Sequence, residues 1–415
     1  MSLSENIKSY LRIFKRSGVD RSLYLVTYLL VIFGIYMIAD AAVGSTIRFG
    51  FKFVVSNLGK QIAIVFLGSI LLFLAARGFK EKFAMTNMNK CKLIYGITLI
   101  AMFACRLWNI NGSHGWIVLG PITIQPAEIM KIVLVHILAY MLGDLPKKYK
   151  ISKYMSPKKR EELKKLKRQN CLYTPMALVS IAVIVVVVIQ KDFGSAVILF
   201  AMCAIVFFTT PDPYYRMYKR RLLIFGLIIC CITPLAFTYV LKAHQIQRIV
   251  TWLNPLDERF IYTQAMQVVN GFIAFTNGGL WGLGAGKSIM KFGYIPEAQS
   301  DFISAVIAEE FGFLGIFVVI LLFSFIIFKF VNYAKKIKND RYKLCLIGYS
   351  SYFFLHLMVN LGGVSGLIPM TGVPLLLISA GGTSTMVAMY TVGAAQHIIS
   401  LYNKERFKEE AEESL

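Results

Sequence analysis

"GYIPEAQSDFISAVIAEEFGFLGIFVVILLFSFIIF", residues 293–328, decides the fold class. From Phe311 to Phe328 no charged residue occurs. A helix of about 20 apolar residues crosses a bilayer, so this run predicts a membrane span. The start of the same stretch carries Glu297, Asp301, Glu309 and Glu310. Carboxylates next to lipid are costly, and those that occur face a cavity, a partner or a substrate.

Comparable runs recur in both directions from this one. The 415 residues are 57% hydrophobic, more than a soluble domain of this length needs. Candidate spans fall at 22–43, 58–77, 92–108, 125–143, 173–190, 193–210, 221–242, 302–331, 343–362 and 374–402. The expectation is an all-α polytopic membrane protein of about ten transmembrane helices, with a long structured outer loop between spans 7 and 8. The basic start "IKSYLRIFKRSGVDR" leads into a full-length span, so no cleavable signal is expected.

Net charge is +23, but its distribution speaks against nucleic acid. The segments before span 1, at 77–92, 144–173, 211–221 and 329–343, and the C-terminal tail hold 34 of the 45 Lys and Arg residues. All of these fall on one side if there are ten spans. Basic loops stay cytoplasmic, which places both termini inside. The chain is then a single membrane domain, 1–415, with a basic cytoplasmic loop at 144–173, an extracellular loop at 243–300 and a cytoplasmic tail at 403–415. The basic loop has the charge pattern of a surface helix on anionic lipid. The 243–300 loop, glycine-rich and partly apolar, is expected to pack as short helices and turns. The acidic tail is expected to fray. Seven cysteines, including Cys105, Cys203, Cys230 and Cys231 in or beside apolar runs, show no metal spacing and predict no disulfide framework.

The polar residues that interrupt the apolar pattern cluster towards the outer face. Glu128 and Lys131 are neighbours on a helix at i,i+3, either a neutralising pair or part of a site. Trp116 suits an interfacial anchor as well as a site. Asp192 sits at a hairpin tip, where a turn residue is as natural as a catalytic one. His114 and His356 lack a partner at ligand spacing and read as structural. Asp301 could simply cap the eighth span. Yet Glu297 lies one turn before it, and Glu309 follows about 12 Å deeper. Capping requires neither, and the three acids read as the wall of a polar cavity.

The motifs resemble the SEDS family (shape, elongation, division and sporulation), whose members include FtsW and RodA proteins. The resemblance is carried by "GWIVLGPITIQPAEIMKI", "QKDFGSAVIL", "GGLWGLGAGKSIMKFGYIPEAQSDFISAVIAEEFGFLG" and "NLGGVSGLIPMTGVPLLLISAGGTS", in order along nearly the whole chain. The Tyr-Ile-Pro-Glu-Ala form leans towards the division and sporulation branch. Ala127, Lys191, His356, Leu376 and Ala380 depart from the family's usual residues.

The resemblance implies a peptidoglycan glycosyltransferase that polymerises lipid II at the outer face of the bacterial cytoplasmic membrane. Such enzymes release undecaprenyl pyrophosphate and extend an undecaprenyl-linked glycan. A class B penicillin-binding protein and other divisome or elongasome proteins are the implied partners. Asp301 matches the family's essential aspartate and is assigned as general base. Lys131 and Arg248 are candidate cations for the leaving pyrophosphate. A divalent cation, Mg²⁺ or Mn²⁺, held by carboxylates is a third candidate, and no organic cofactor is expected. Trp116, Glu128, Gln267, Glu297, Glu309 and Ser379 complete the candidate substrate-binding set. Two rival readings are a flippase or transporter for a lipid-linked precursor and a non-catalytic scaffold for a transpeptidase. Against the first, the carboxylates cluster near one face, whereas transporters bind at the midplane.

Overall fold

The computed structural model describes residues 18–44, 50–77, 87–109, 113–120, 122–150, 152, 154–224, 226, 250–263 and 265–413. Helices dominate: α1 (Arg21–Gly44), α2 (Phe51–Ala76), α3 (Met88–Ala104), α4 (Pro126–Lys148), α5 (Pro157–Ile189) and α6 (Phe193–Thr209), followed at a sharp bend by α7 (Pro213–Ile224). Then come the short α8 (Glu258–Ile261) and α9 (Met266–Gly278). The long helices α10 (Ile303–Lys336), α11 (Asp340–Val364) and α12 (Gly382–Glu413) complete the chain. A two-stranded antiparallel hairpin, β1 (Ile117–Leu119) and β2 (Ile122–Ile124), precedes α4 and pairs Ile117 with Ile124. The all-α expectation is corrected by this hairpin alone.

Among the described residues, six helices are long and apolar enough to cross a membrane, or seven if the bent pair α6 and α7 is one span. The seventh expected span, 221–242, lies mostly outside the described residues. Several other expected boundaries move, among them the start of the second span, at Phe51 rather than 58, and of the fifth, whose helix begins at Pro157 rather than 173. The last span begins at Gly382 rather than 374, because 373–381 is a buried irregular loop. The tail is helical to Glu413, as a continuation of α12.

Burial sorts the helices into layers. The α4 span is 83% buried and α11 67%, against 22% for α2 and 28% for α10. Helices α4 and α11 and the 382–400 part of α12 therefore form the centre, while α2 and α10 turn apolar faces outward, as a lipid environment allows. Close approaches rest on glycines: Gly348 of α11 against Val135 of α4, and Gly393 of α12 against the Leu72 carbonyl of α2. Such small-residue contacts are how membrane helices pack without a hydrophobic drive between them.

Helix α10 is two helices in one. At Gly312 the backbone turns to φ 65°, ψ −164°, a conformation side chains resist. The groups freed by the break bond to the segment after α9. Leu283 N and Gly284 N donate to the Glu309 and Glu310 carbonyls, while Phe313 N and Leu314 N donate to the Gly279 and Leu280 carbonyls. Gly282 permits this: a Cβ there would sit 2.1 Å from the Glu310 carbonyl oxygen. Broken helices survive in membranes only where protein satisfies the freed backbone in this way.

Candidate active site

Asp301 lies in the turn just before α10, partly exposed. Its carboxylate faces the backbone of Gly372, whose Cβ position is 3.6 Å from Asp301 Oδ2. The Asp301 carbonyl accepts from Asn360 Nδ2 at 2.8 Å, and the same amide donates to the Val373 carbonyl at 2.8 Å. Asn360 Oδ1 in turn accepts from Ser304 Oγ. One buried amide on α11 thus ties the aspartate's turn to the 372–381 loop.

The side chain is placed beside a second acid. Ser300 Oγ donates to Glu297 Oε2 at 2.8 Å and lies 3.1 Å from Asp301 Oδ1. Burial, and then the Glu297 charge, push the Asp301 carboxyl up to about 6. Beneath them, Ala380 N donates to the Gln299 carbonyl, and Asn57 Nδ2 of α2 donates to Gln299 Oε1. A partly exposed carboxylate with a raised pKa, on a backbone held from two sides, is suited to accepting a proton.

Glu128 and Lys131 form a fully buried cluster one layer in. Lys131 Nζ is 2.5 Å from Glu128 Oε1 and 3.3 Å from His356 Nε2, and Tyr352 donates to Glu128 Oε2 at 2.9 Å. His356 Nδ1 contacts the Pro374 carbonyl at 3.3 Å. The two clusters therefore reach the same loop at adjacent carbonyls, Val373 through Asn360 and Pro374 through His356. Lys131 is not displayed towards Asp301, since its side chain is wholly enclosed by these partners.

Glu309 does not line a cavity with Asp301 and Glu297. It is 0% exposed and accepts from Asn277 Nδ2, Ser288 Oγ and Met290 N. Neighbouring Glu310 accepts from Gly286 N and Ser288 N. Lys291 Nζ joins Glu310 Oε1 at 2.8 Å to both Asp40 oxygens of α1, at 2.7 and 2.8 Å. Burial pushes the Lys291 ammonium down, but the Asp40 and Glu310 carboxylates more than offset this and hold it above its ordinary value. These acids brace the broken helix. The descending-acid reading fails because Glu297 and Asp301 lie in turns before α10, off the helix that carries Glu309, and Glu309 is turned to the 277–290 segment.

Ser379 is also turned inward, its hydroxyl accepting from Leu375 N at 2.8 Å within its own loop. Trp116, at the start of the hairpin, and Gln267, on α9, are half-buried, and Glu297 is exposed. Arg248 lies outside the described residues. Asp192 caps α6 through Ser195 N and accepts from Gln125 Nε2 at 2.9 Å, while Gln125 N donates to Thr383 Oγ1. Among the described residues no three His, Cys, Asp or Glu side chains are grouped to hold a metal ion. Asp301 and Glu297 would supply two carboxylates to a cation that takes its remaining ligands from phosphate and water. Sequence reading passed over Asn360 and the Asp40–Lys291 pair. Each is a polar residue in or beside an apolar run, which was the available signal.

The profile of the FtsW/RodA/SpoVE family, described as cell cycle proteins, matches residues 20–404. The chain belongs to the FtsW/RodA/SpoVE family. It is 29% identical to the probable peptidoglycan glycosyltransferase FtsW of Bacillus subtilis (strain 168), covering 98% of this chain and 95% of that protein. The corresponding FtsW of Enterococcus hirae is 32% identical over 77% of each. Stage V sporulation protein E of Bacillus subtilis is 26% identical, covering 92% of this chain and 98% of that one. The fold is shared with a chain of a solved peptidoglycan synthase complex, at TM-score 0.69 and 22% identity, covering 92% of this chain and 98% of that one. The rod shape determining protein RodA of Thermus thermophilus matches at TM-score 0.59 and 22% identity, covering 92% and 96%. This FtsW/RodA/SpoVE-family chain thus matches two of these relatives over 95% or more of their length.

Proposed function

We propose that this chain is a peptidoglycan glycosyltransferase that polymerises lipid II into β-1,4 glycan strands and releases undecaprenyl pyrophosphate. The observation that carries the reading is Asp301: a carboxylate near pKa 6, partly exposed at the entry to a broken membrane helix, with its backbone pinned by Asn360. A base is most effective when its pKa lies near the working pH. Asp301 accepts the proton of the attacking sugar hydroxyl as the bond to the anomeric carbon forms and the lipid pyrophosphate leaves. Burial, and then the Glu297 charge, keep that proton affinity high. Trp116 and Gln267 are proposed as contacts to sugar or lipid.

The buried Glu128–Lys131 pair is proposed to act through His356 on the 372–381 loop, with direct contact to pyrophosphate only if that loop moves. Arg248 is the other proposed cation for the leaving group. If Mg²⁺ or Mn²⁺ takes part, Asp301 and Glu297 would hold it together with substrate phosphates, where it would neutralise phosphate charge. The proposal includes ten spans, both termini and 144–173 on the cytoplasmic side, and 243–300 and the site outside. It also includes a class B penicillin-binding protein as partner within the division or elongation machinery.

The test is purified full-length protein with labelled lipid II. Wild type is expected to make polymer and Asp301→Asn, inserted and folded, to make none. Polymer from the variant at the wild-type rate removes the general base. Lipid translocation without polymer from wild type selects the transporter reading.

A further inference from the structure

A second polar cavity lies at the other end of the bundle. It is lined by His136 of α4, Arg341 and Tyr349 of α11, Tyr390 and His397 of α12, and Ala75 at the end of α2. Arg341 opens α11, and Asn360, beside Asp301, is near its far end. Nineteen residues separate the two, about 28 Å of helix. The cavity volume is about 80 Å³. One water requires ~10–15 Å³, so there is room for a group of several heavy atoms.

Three of the lining groups, Arg341, His136 and Tyr390, keep hydrogen-bonding capacity towards this space. The Arg341 guanidinium is 12% exposed, and its nearest carboxylate, Asp144 Oδ2, is 3.6 Å away, too far for a hydrogen bond. His136 uses Nε2 on the Tyr349 hydroxyl, and its Nδ1 has no partner among the described residues. The Tyr390 hydroxyl has no hydrogen bond among them either. The half-buried guanidinium has only a long ion pair to Asp144 and the Tyr140 ring beside it, and an oxyanion would match its planar fork better.

The surroundings are built rather than incidental. Helix α4 makes a π-turn over Tyr140–Asp144, and Gly143 in it packs on the Arg341 backbone, with a Cβ position 2.8 Å from Arg341 N. π-turns inside helices concentrate at functional sites. Ala75, Ala394 and Ile398 give the cavity an apolar side next to α2, whose span is only 22% buried. A ligand with an acyl chain could thus lie against the outer face of α2 while its head enters the cavity. Asp144 opposes an anion and is the group Arg341 would partly release.

We propose that this cavity binds a phosphate group, carried by an anionic phospholipid, with Arg341 as the fixed charge and His136 and Tyr390 as hydrogen-bond partners. Basic pockets between membrane helices recognise acidic headgroups by this chemistry. The site stands apart from Asp301 and does not rest on the glycosyltransferase reading.

The experiment is native mass spectrometry of the full-length protein in detergent, incubated with phosphatidylglycerol or with diacylglycerol, which lacks the phosphate. Wild type is expected to retain phosphatidylglycerol and not diacylglycerol. Retention should fall at least ~10-fold in Arg341→Gln and about threefold in Tyr390→Phe, as charge-assisted and neutral hydrogen bonds differ. In a second arm, inorganic phosphate at millimolar concentration is tested for protection against thermal unfolding. Protection of wild type but not Arg341→Gln, without lipid retention, keeps the phosphate site and assigns it to the free anion. Equal phosphatidylglycerol retention by wild type and both variants, with no protection by phosphate, overturns the proposal. If Arg341→Gln does not fold, Tyr390→Phe decides alone, and unchanged retention overturns it.

Discussion

At the scale of single residues, Asp301 makes two opposed demands on the protein. As the proposed general base it must be ionised, and with its carboxyl pushed up to about 6 it is mostly so at pH 7. Activity should rise with pH through about 6 and then level, because only the carboxylate accepts a proton. Asp301→Asn should lower polymerisation by ~100- to 10,000-fold, the range that general-base catalysis supplies. Glu297→Gln removes a like charge, so the acid limb of the pH profile should move to lower pH. An unmoved limb would show that burial alone raises Asp301. Stability runs the other way. The carboxyl is raised from 3.8 to about 6, so the folded chain holds this proton more tightly than the unfolded chain. Its folded stability is greatest below pH 3.8 and declines as pH climbs through 6. Asp301→Asn removes that decline. At pH 7 it should melt no lower than wild type, with a gain on the order of 1 kcal/mol after allowance for partial exposure. A melting temperature several degrees lower would contradict the raised pKa.

At the scale of elements, the broken helix α10 is the part most sensitive to substitution. The break is held by backbone pairing with 279–284 and by the Asp40–Lys291–Glu310 cluster. Lys291→Met leaves two buried carboxylates facing each other and should cost about 3–5 kcal/mol. Adding Asp40→Asn to Lys291→Met should recover part of this, since one of the stranded charges is gone. The measurement is the thermal melting of detergent-solubilised protein, and an unchanged midpoint for Lys291→Met would show that the cluster does not brace the fold. Gly282→Ala should cost at least ~1–3 kcal/mol by overpacking, because its Cβ would collide with the Glu310 carbonyl and its φ is +81°. Both substitutions act on the segment that leads to Asp301, so activity per folded molecule should fall with them.

At the scale of the whole molecule, two polar clusters act on one loop. If the Glu128–Lys131 pair works through His356 on the 372–381 loop, its members behave as a unit. Glu128→Gln and Lys131→Met should each lower activity per folded molecule, roughly tenfold or more, and the double variant should be no worse than Lys131→Met alone. Normal activity per folded molecule in all three would leave the pair a packing device. Topology is tested at the same scale. Cysteines placed in 144–173 should label only from the cytoplasmic side, and those in 243–300 only from outside. Labelling from the opposite side of intact cells would reverse the orientation.

The sequence by itself determined that this is a membrane protein, because apolar runs of span length have no other stable setting. It also determined that Asp301 stands at the entrance to a span, since a local motif fixes its place relative to the apolar run. Most helix positions follow for the same reason: hydrophobicity and breakers such as Pro126 and Pro157 act locally. Tertiary structure alone decided which carboxylates share a site. Glu309 and Asp301 are close along the chain, yet one is enclosed by Ser288 and Asn277 while the other meets Gly372. It also decided that 373–381 is a buried loop and not the start of a span. Its composition is as apolar as a helix, and its backbone is satisfied by turns of its own and by distant partners such as Asn360, His356 and Gln299. Hydrogen bonds between residues far apart in the chain leave no periodicity to read, so the loop that holds the aspartate in place becomes visible only once the helices are packed.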